Sequence, residues 1–231
     1  TLVHDGLTDA FSQEHMGITA ENVSKKYGVS RLDQDQYAYG SYVKTYKALK
    51  NKYFKNELCQ SPLKDEVRQD TTSSKLTQLK PVFKKDGSVS AGNASGLNDG
   101  SAAVVLMKES KADELNIKPL ARVVSWATVG VDPSIMGIGP VPAVKKALEI
   151  ANWKLDDLDL IEANEAFAAQ SLAVGKELKW DSSKVNVNGG AIALLTTVRL
   201  VTSGSNKTLS TNFFKIVFEP INGEMPRLGD L

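Results

Sequence analysis

The sequence predicts a layered α/β protein, in which helices pack against a sheet. From Ser101 to Leu194, apolar runs of strand length alternate with segments of helical period. Residues 1 to 98 have another texture, with polar stretches and isolated turn signals, and read as an irregular α/β excursion beside that core. At 231 residues the chain has room for one large domain or two small ones.

Taken in order, Thr19-Ala20-Glu21 opens a short helix that Gly28 can end, with Glu21 placed to meet the positive end of the helix dipole. Ser30 starts a longer helix, and Asp33 three residues on makes a capping-box pattern. Leu32, Tyr39, Val43, Tyr46 and Leu49 recur at helical steps and predict its apolar, inward face. Val82-Phe83, the turn at Asp86-Gly87, and Val89 suggest a small hairpin. Ser101 to Met107 is an apolar run that predicts a buried strand, followed by a helix over Lys108 to Asn116. Arg122 to Trp126 reads as a strand, and Pro142 suits the first turn of a helix ending near Ala151. Leu158 to Glu162 and Val185 to Val187 are strand-like, and Ala166 to Leu178 is helix-like. The tail from Leu195 holds a strand-like FFKIVFE, but its pattern gives it no place in the fold.

Composition removes several function classes. Lys plus Arg is 28 and Asp plus Glu is 27, so a broad basic surface for nucleic acid is disfavoured. The two histidines and one cysteine show no metal-ligand spacing, so no metal site is expected. A single cysteine excludes an intramolecular disulfide and fits a reducing compartment. No run of about 18 apolar residues spans a bilayer, and no signal peptide is visible, so a soluble cytoplasmic protein is expected. The chain opens on Thr1 rather than Met, which points to a longer natural sequence upstream.

The best candidate for chemistry is Asn164-Glu165-Ala166-Phe167, at a strand-to-helix corner where open α/β sheets usually meet ligands. An Asn carboxamide there can donate to a developing oxyanion. On the residues alone, a helix cap is the simpler role for Asn164. Gly92 to Gly100 is rich in small residues that let a backbone approach a ligand, although such stretches are more often only turns. Cys59 sits in a polar stretch with no His near it in sequence and makes a poor nucleophile.

Taken together, five motifs in this order and spacing resemble the thiolase family over roughly residues 3 to 194. They are His15 to Asn22 (HMGITAEN), Ala91 to Gly96 (AGNASG), Asp132 to Gly137 (DPSIMG), Asn164 to Ala168 (NEAFA) and Asn188 to Leu194 (NGGAIAL). DPSIMGIGPVPA is similar to the acetoacetyl-CoA-forming branch, the biosynthetic acetyl-CoA acetyltransferases. The resemblance implies that Asn164 holds a water in an oxyanion hole for the thioester carbonyl, and that Ala166 and Phe167 line the acyl pocket. It implies pantetheine contacts for His15, Met16, Phe83, Ala94 and Ser95, and an adenine-stacking role for Arg68. The implied substrates are acetyl-CoA and acetoacetyl-CoA, with no metal or separate cofactor, and the implied assembly is a homo-oligomer.

The departures from the family pattern matter as much. Thiolases carry their nucleophilic cysteine in an upstream half, follow GGAIAL with Gly-His-Pro, and place a second cysteine in a later Cys-x-Gly. Here Leu194 is followed by Leu195-Thr196-Thr197, and neither cysteine motif is present. The implied organisation is a loop domain covering coenzyme A over residues 1–98, the end of an N-terminal core domain over 99–117, part of a C-terminal domain over 118–194, and a non-family tail over 195–231. The implied activity is condensation of two acetyl-CoA to acetoacetyl-CoA and its reversal; the alternative is an inactive fragment that only binds coenzyme A or associates with subunits.

Overall fold

The computed structural model describes residues 2–58, 68, 70–98, 102–193 and 215–219, and its longer helices start where the sequence supplies caps. After the exposed turn α1 (Leu2–Gly6), α2 (Met16–Tyr27) begins ahead of the expected Thr19, because His15 is its N-cap and the ring Nδ1 accepts from Gly17 N at 2.9 Å. It ends at Gly28, whose φ of 58° is left-handed. In α3 (Arg31–Lys50) the capping box is complete, with Asp33 N donating to Ser30 Oγ and Ser30 N donating to Asp33.

Of the apolar face expected of α3, Leu49 packs against Ala48 and Phe54, but the other four residues are turned outward. Leu32, Tyr39, Val43 and Tyr46 are exposed, while Gln34, Asp35, Ala38, Ser41, Tyr42, Thr45 and Ala48 face inward. Polar side chains win these positions because buried partners satisfy most of them, as described below; hydropathy alone ranks them wrongly.

Beyond α4 (Ser73–Thr77), the expected hairpin forms around Val82 N to Val89 O at 3.0 Å and the Pro81–Ser90 bridge. Glu21 is not a solvated dipole partner. Its buried carboxylate accepts from Ser88 N and Val89 N, both at 2.9 Å, and so ties the hairpin to α2.

Residues 102–107 form no strand, and Val104, Val105 and Leu106 are exposed. An apolar run becomes a buried strand only beside neighbours that pair its backbone, and the described residues offer it none. The helix that follows is short, α5 (Glu109–Glu114). Strand β1 (Arg122–Ala127) forms as expected and pairs antiparallel with β2 (Lys215–Glu219), which gives the KIVFE part of that run a place that pattern could not. The strands expected over 158–162 and 185–187 reduce to one parallel bridge, Ile161 with Val185.

Helix α6 (Pro140–Ala151) takes Pro140 rather than Pro142 into its first position, where the missing N–H costs nothing. With α2 and α7 (Ala168–Leu178) it builds the main core, in which Val23, Ile138, Val141, Val144, Leu148, Val174 and Leu178 are buried together. A second cluster of Ala38, Tyr42, Leu76, Ala168 and Ile192 joins α3 to the start of α7. No helix among the described residues is long and apolar enough to cross a membrane.

Loss of the α3 cap in Ser30→Ala should cost about 1 kcal/mol in urea unfolding. Val43→Lys, on the outward face, should stay within about 0.5 kcal/mol of the parent. A loss above about 2 kcal/mol at Val43 would show that something covers that face.

Candidate functional site

Two segments far apart in sequence are zipped together by their backbones. Ser95 N donates to Ala166 O and Ala168 N donates to Asn93 O, both at 2.9 Å, with Ala94 bridged antiparallel to Phe167. The small-residue loop and the strand-to-helix corner, two weak signals in sequence, thus form one structure. Asn164 does not cap α7. The N-cap is Phe167, which is extended and bridged to Ala94 and whose apolar ring makes no side-chain cap bond.

Three rings line up beside it. The His15 ring stacks on Phe83 at 4.7 Å between centroids, and Phe83 meets Phe167 edge to face at 6.2 Å. Gly17 is required beneath this row, since a Cβ there would overlap the Phe83 ring. His15 Nδ1 accepts from Gly17 N, so the neutral ring carries its proton on Nε2 and can donate from that atom. Partial burial of the ring lowers its pKa. Met16 is half-buried at the first position of α2, its N–H held by Leu7 O at 2.8 Å.

His15, Phe83, Ala94, Ser95, Ala166 and Phe167 are therefore linked by ring contacts and the zipper. Asn164 lies two residues before Ala166, half-buried, and its carboxamide makes no hydrogen bond to another described residue. Arg68 is exposed, its carbonyl accepts from Thr71 N at 3.4 Å, and its charge reaches the Tyr42 phenol. Cys59 and residues 194–214, Thr196 included, lie outside the described residues.

Sequence reasoning missed the residues that hold this arrangement. Asp35, fully buried, receives both Arg31 Nε (2.8 and 2.9 Å) and Asn93 Nδ2 (2.9 Å). Asn93 also accepts from Ser90 N at 2.8 Å and donates to Ser88 O at 3.1 Å, so the loop carrying Ala94 and Ser95 is anchored to α3. Glu165, 2% exposed, accepts from Ser41 Oγ at 2.6 Å, Asn186 Nδ2 at 3.0 Å and Tyr37 Oη at 3.2 Å. Burial and the Glu165 carboxylate push the Tyr37 phenol well above its usual range, so it serves as a neutral donor. One signal was available: Gln34, Ala38, Ser41, Thr45 and Ala48 form a small and polar stripe at helical spacing on α3. Among the described residues, no group of three or more His, Cys, Asp or Glu could hold a metal ion.

Comparison with known proteins points one way. Residues 1–110 match the family model described as "Thiolase, N-terminal domain", and residues 117–206 match "Thiolase, C-terminal domain". The chain is 54% identical over 206 residues to an acetyl-CoA acetyltransferase of Pseudomonas aeruginosa, covering 84% of this chain and 52% of that protein. It is 55% identical over 205 residues to one of Shinella zoogloeoides, again covering 84% and 52%. Among solved structures, the Bacillus anthracis acetyl-CoA acetyltransferase superposes with a TM-score of 0.79 at 50% identity, over 83% of this chain and 52% of that one. Human mitochondrial 3-ketoacyl-CoA thiolase in complex with CoA gives 0.79 at 49% identity, over 83% and 50%. The chain spans about half the length of the relatives it matches.

The His15 ring gives the site a pH signature. Its folded pKa is lowered from 6.5, so the unfolded chain takes up this proton first as pH falls. The stability tied to the neutral ring is complete above 6.5 and is lost between 6.5 and the lowered folded value. The stabilised carboxylates, such as Asp33 and Asp132, lose theirs only below their ordinary 3.8. The urea midpoint of His15→Gln should therefore vary less with pH just below 6.5 than that of the parent. Equal slopes in that window would show that His15 is not held neutral by the fold.

Proposed function

The chain belongs to the thiolase family, and from that premise we propose that it acts on coenzyme A thioesters as an acetyl-CoA acetyltransferase, joining two acetyl-CoA into acetoacetyl-CoA and CoA and running the reverse thiolysis. The observation that carries this proposal is the zipper of Asn93–Ser95 onto Ala166–Ala168, which sets two separate motifs beside the His15, Phe83 and Phe167 rings. The relatives printed as acetyl-CoA acetyltransferases, and the related thiolase solved with CoA, support the substrate class.

In this proposal each described group has a task. Asn164, whose carboxamide is uncommitted among the described residues, orients a water or donates directly to the thioester carbonyl as negative charge builds there. Such a donor acts mainly in the transition state, where the oxygen bears most charge. Ala166 and Phe167 shape the acyl pocket. His15, Met16, Phe83, Ala94 and Ser95 line the pantetheine path: the rings supply an apolar wall, and the neutral His15 supplies an Nε2–H donor. Arg68 stacks on the adenine at the far end. Residues 1–98 form the loop domain over coenzyme A, 99–117 the end of the N-terminal core domain, 118–194 part of the C-terminal domain, and 195–231 a tail outside the family pattern. We further propose a cytoplasmic homo-oligomer that uses no metal or separate cofactor.

Acyl transfer of this kind needs an activated thiol. One observation favours a second reading, in which the chain binds coenzyme A without turning it over. Its only cysteine is Cys59, and Thr196 stands where the resemblance to thiolases places a histidine base. A threonine hydroxyl is no base near neutral pH.

Thiolysis of acetoacetyl-CoA, calorimetry with CoA and intact mass spectrometry decide among these. Binding of CoA without turnover above a Cys59→Ser control, and without acetylation, establishes the binding-only role. Where turnover is found, Asn164→Ala should lower it by about 10²–10³, the usual loss for one oxyanion donor. A loss under about threefold removes Asn164 from the site, and failure to bind either CoA or acetyl-CoA overturns the proposal.

A further inference from the structure

Asn164 is flanked on both sides by groups held through one buried amide. On its N-terminal side, the Asn186 side chain closes a two-bond ring with the Ala163 backbone. Ala163 N donates to Asn186 Oδ1 and Asn186 Nδ2 donates to Ala163 O, both at 2.8 Å. On the C-terminal side the same Nδ2 donates to Glu165 Oε1 at 3.0 Å. Asn186 is itself fixed from behind, with its N–H donating to Ile161 O at 2.9 Å. Its φ of 44° is left-handed, a region that Asn tolerates better than most side chains.

Glu165 extends the hold to α3 and to the segment at residues 190–192. Besides Tyr37 and Ser41 of α3, it accepts from Ile192 N at 3.3 Å. Ser41 Oγ in turn accepts from Gly190 N at 3.1 Å. The fit is close: a Cβ at Gly190 would come within 2.5 Å of the Glu165 carboxyl carbon. Both side chains are 2% exposed. A buried carboxylate with this many donors is costly to misplace, since each lost bond leaves a desolvated group unpaired. Asn164, between these two clamps, makes no side-chain hydrogen bond to a described residue. Its backbone is bracketed by these bonds, while its carboxamide is uncommitted among the described residues. A donor of fixed direction stabilises developing charge without reorganising during reaction.

We propose that Asn186 and Glu165 are positioning residues that lock the backbone on either side of Asn164 and so hold its carboxamide in one orientation. The role rests on the acyl-site assignment of Asn164 made above, but the lock itself can be tested without turnover.

The test uses the full chain labelled with ¹⁵N, with the side-chain amide pair of Asn164 assigned by its loss in Asn164→Ala. Two variants release the lock in different ways. Asn186→Gly keeps the left-handed backbone, which glycine adopts freely, and removes the three side-chain bonds. Glu165→Gln keeps the shape but turns an N–H₂ group toward donors that need an acceptor. In the parent, Asn164 should give one sharp pair that shifts on titration with acetyl-CoA. In both variants that pair should broaden or double and lose its acetyl-CoA response, while the Asn93 pair, buried in a separate network, stays in place. An unchanged Asn164 pair in both variants overturns the proposal, as does equal disturbance of Asn93, which would mean a general scaffold role. Should Asn186→Gly lose its cooperative thermal transition, Glu165→Gln decides by the same signals. Loss of the transition in both variants also overturns the proposal, since the pair would then specify the fold. Absence of any acetyl-CoA shift in the parent counts against the acyl-site assignment alone, because the ordering of the Asn164 pair is read without ligand.

Discussion

The backbone zipper between Asn93–Ser95 and Ala166–Ala168 is the constraint on which the rest of the site depends. Two hydrogen bonds join an irregular loop to the entry of α7 across more than seventy residues of chain. Such bonds are worth little net, about 1 kcal/mol each, and would not hold a loop in register by themselves. They hold because both partners are anchored from behind. Asn93 is locked to Asp35 on α3, which Arg31 also holds, and Glu165 is locked to Ser41 and Tyr37 on the same helix. Helix α3 is therefore the common reference for both halves of the site, which explains why its inward face is polar.

That inversion shows how polar groups enter a protein interior. Burying Asp35 or Glu165 without partners would cost several kcal/mol, and each would then be expelled to solvent. Here the carboxylates gather donors from a guanidinium, hydroxyls, carboxamides and backbone N–H groups. Leu32, Tyr39 and Val43 are left outside as a consequence, because a helix has one inward face and this one is occupied. Glu21 follows the same logic on α2. Its carboxylate caps the hairpin at Ser88 and Val89, and the hairpin carries Phe83 to the His15 ring. Buried ionic hydrogen bonds supply directionality that apolar packing lacks.

Much of this was legible in the chain itself. The capping box at Ser30 and Asp33, the stop at Gly28, the hairpin turn at Gly87, strand β1 and helices α6 and α7 follow from local rules of dihedral preference and hydrogen-bond satisfaction. The five motifs, in order and spacing, identified the family without any coordinates. Those features need only neighbours in sequence, or identities that travel together. Tertiary structure alone decided what depends on a distant partner. Residues 102–107 read as a buried strand but are exposed, because a strand is made by the strand beside it. Lys215–Glu219 had no place until β1 supplied its edge. Asn164 read most simply as a cap and is instead uncommitted among the described residues, with its neighbours Ala163 and Glu165 held by Asn186. Local propensity is a property of a segment, whereas burial, pairing and the satisfaction of a buried charge belong to pairs of segments, and only the folded chain brings those pairs together.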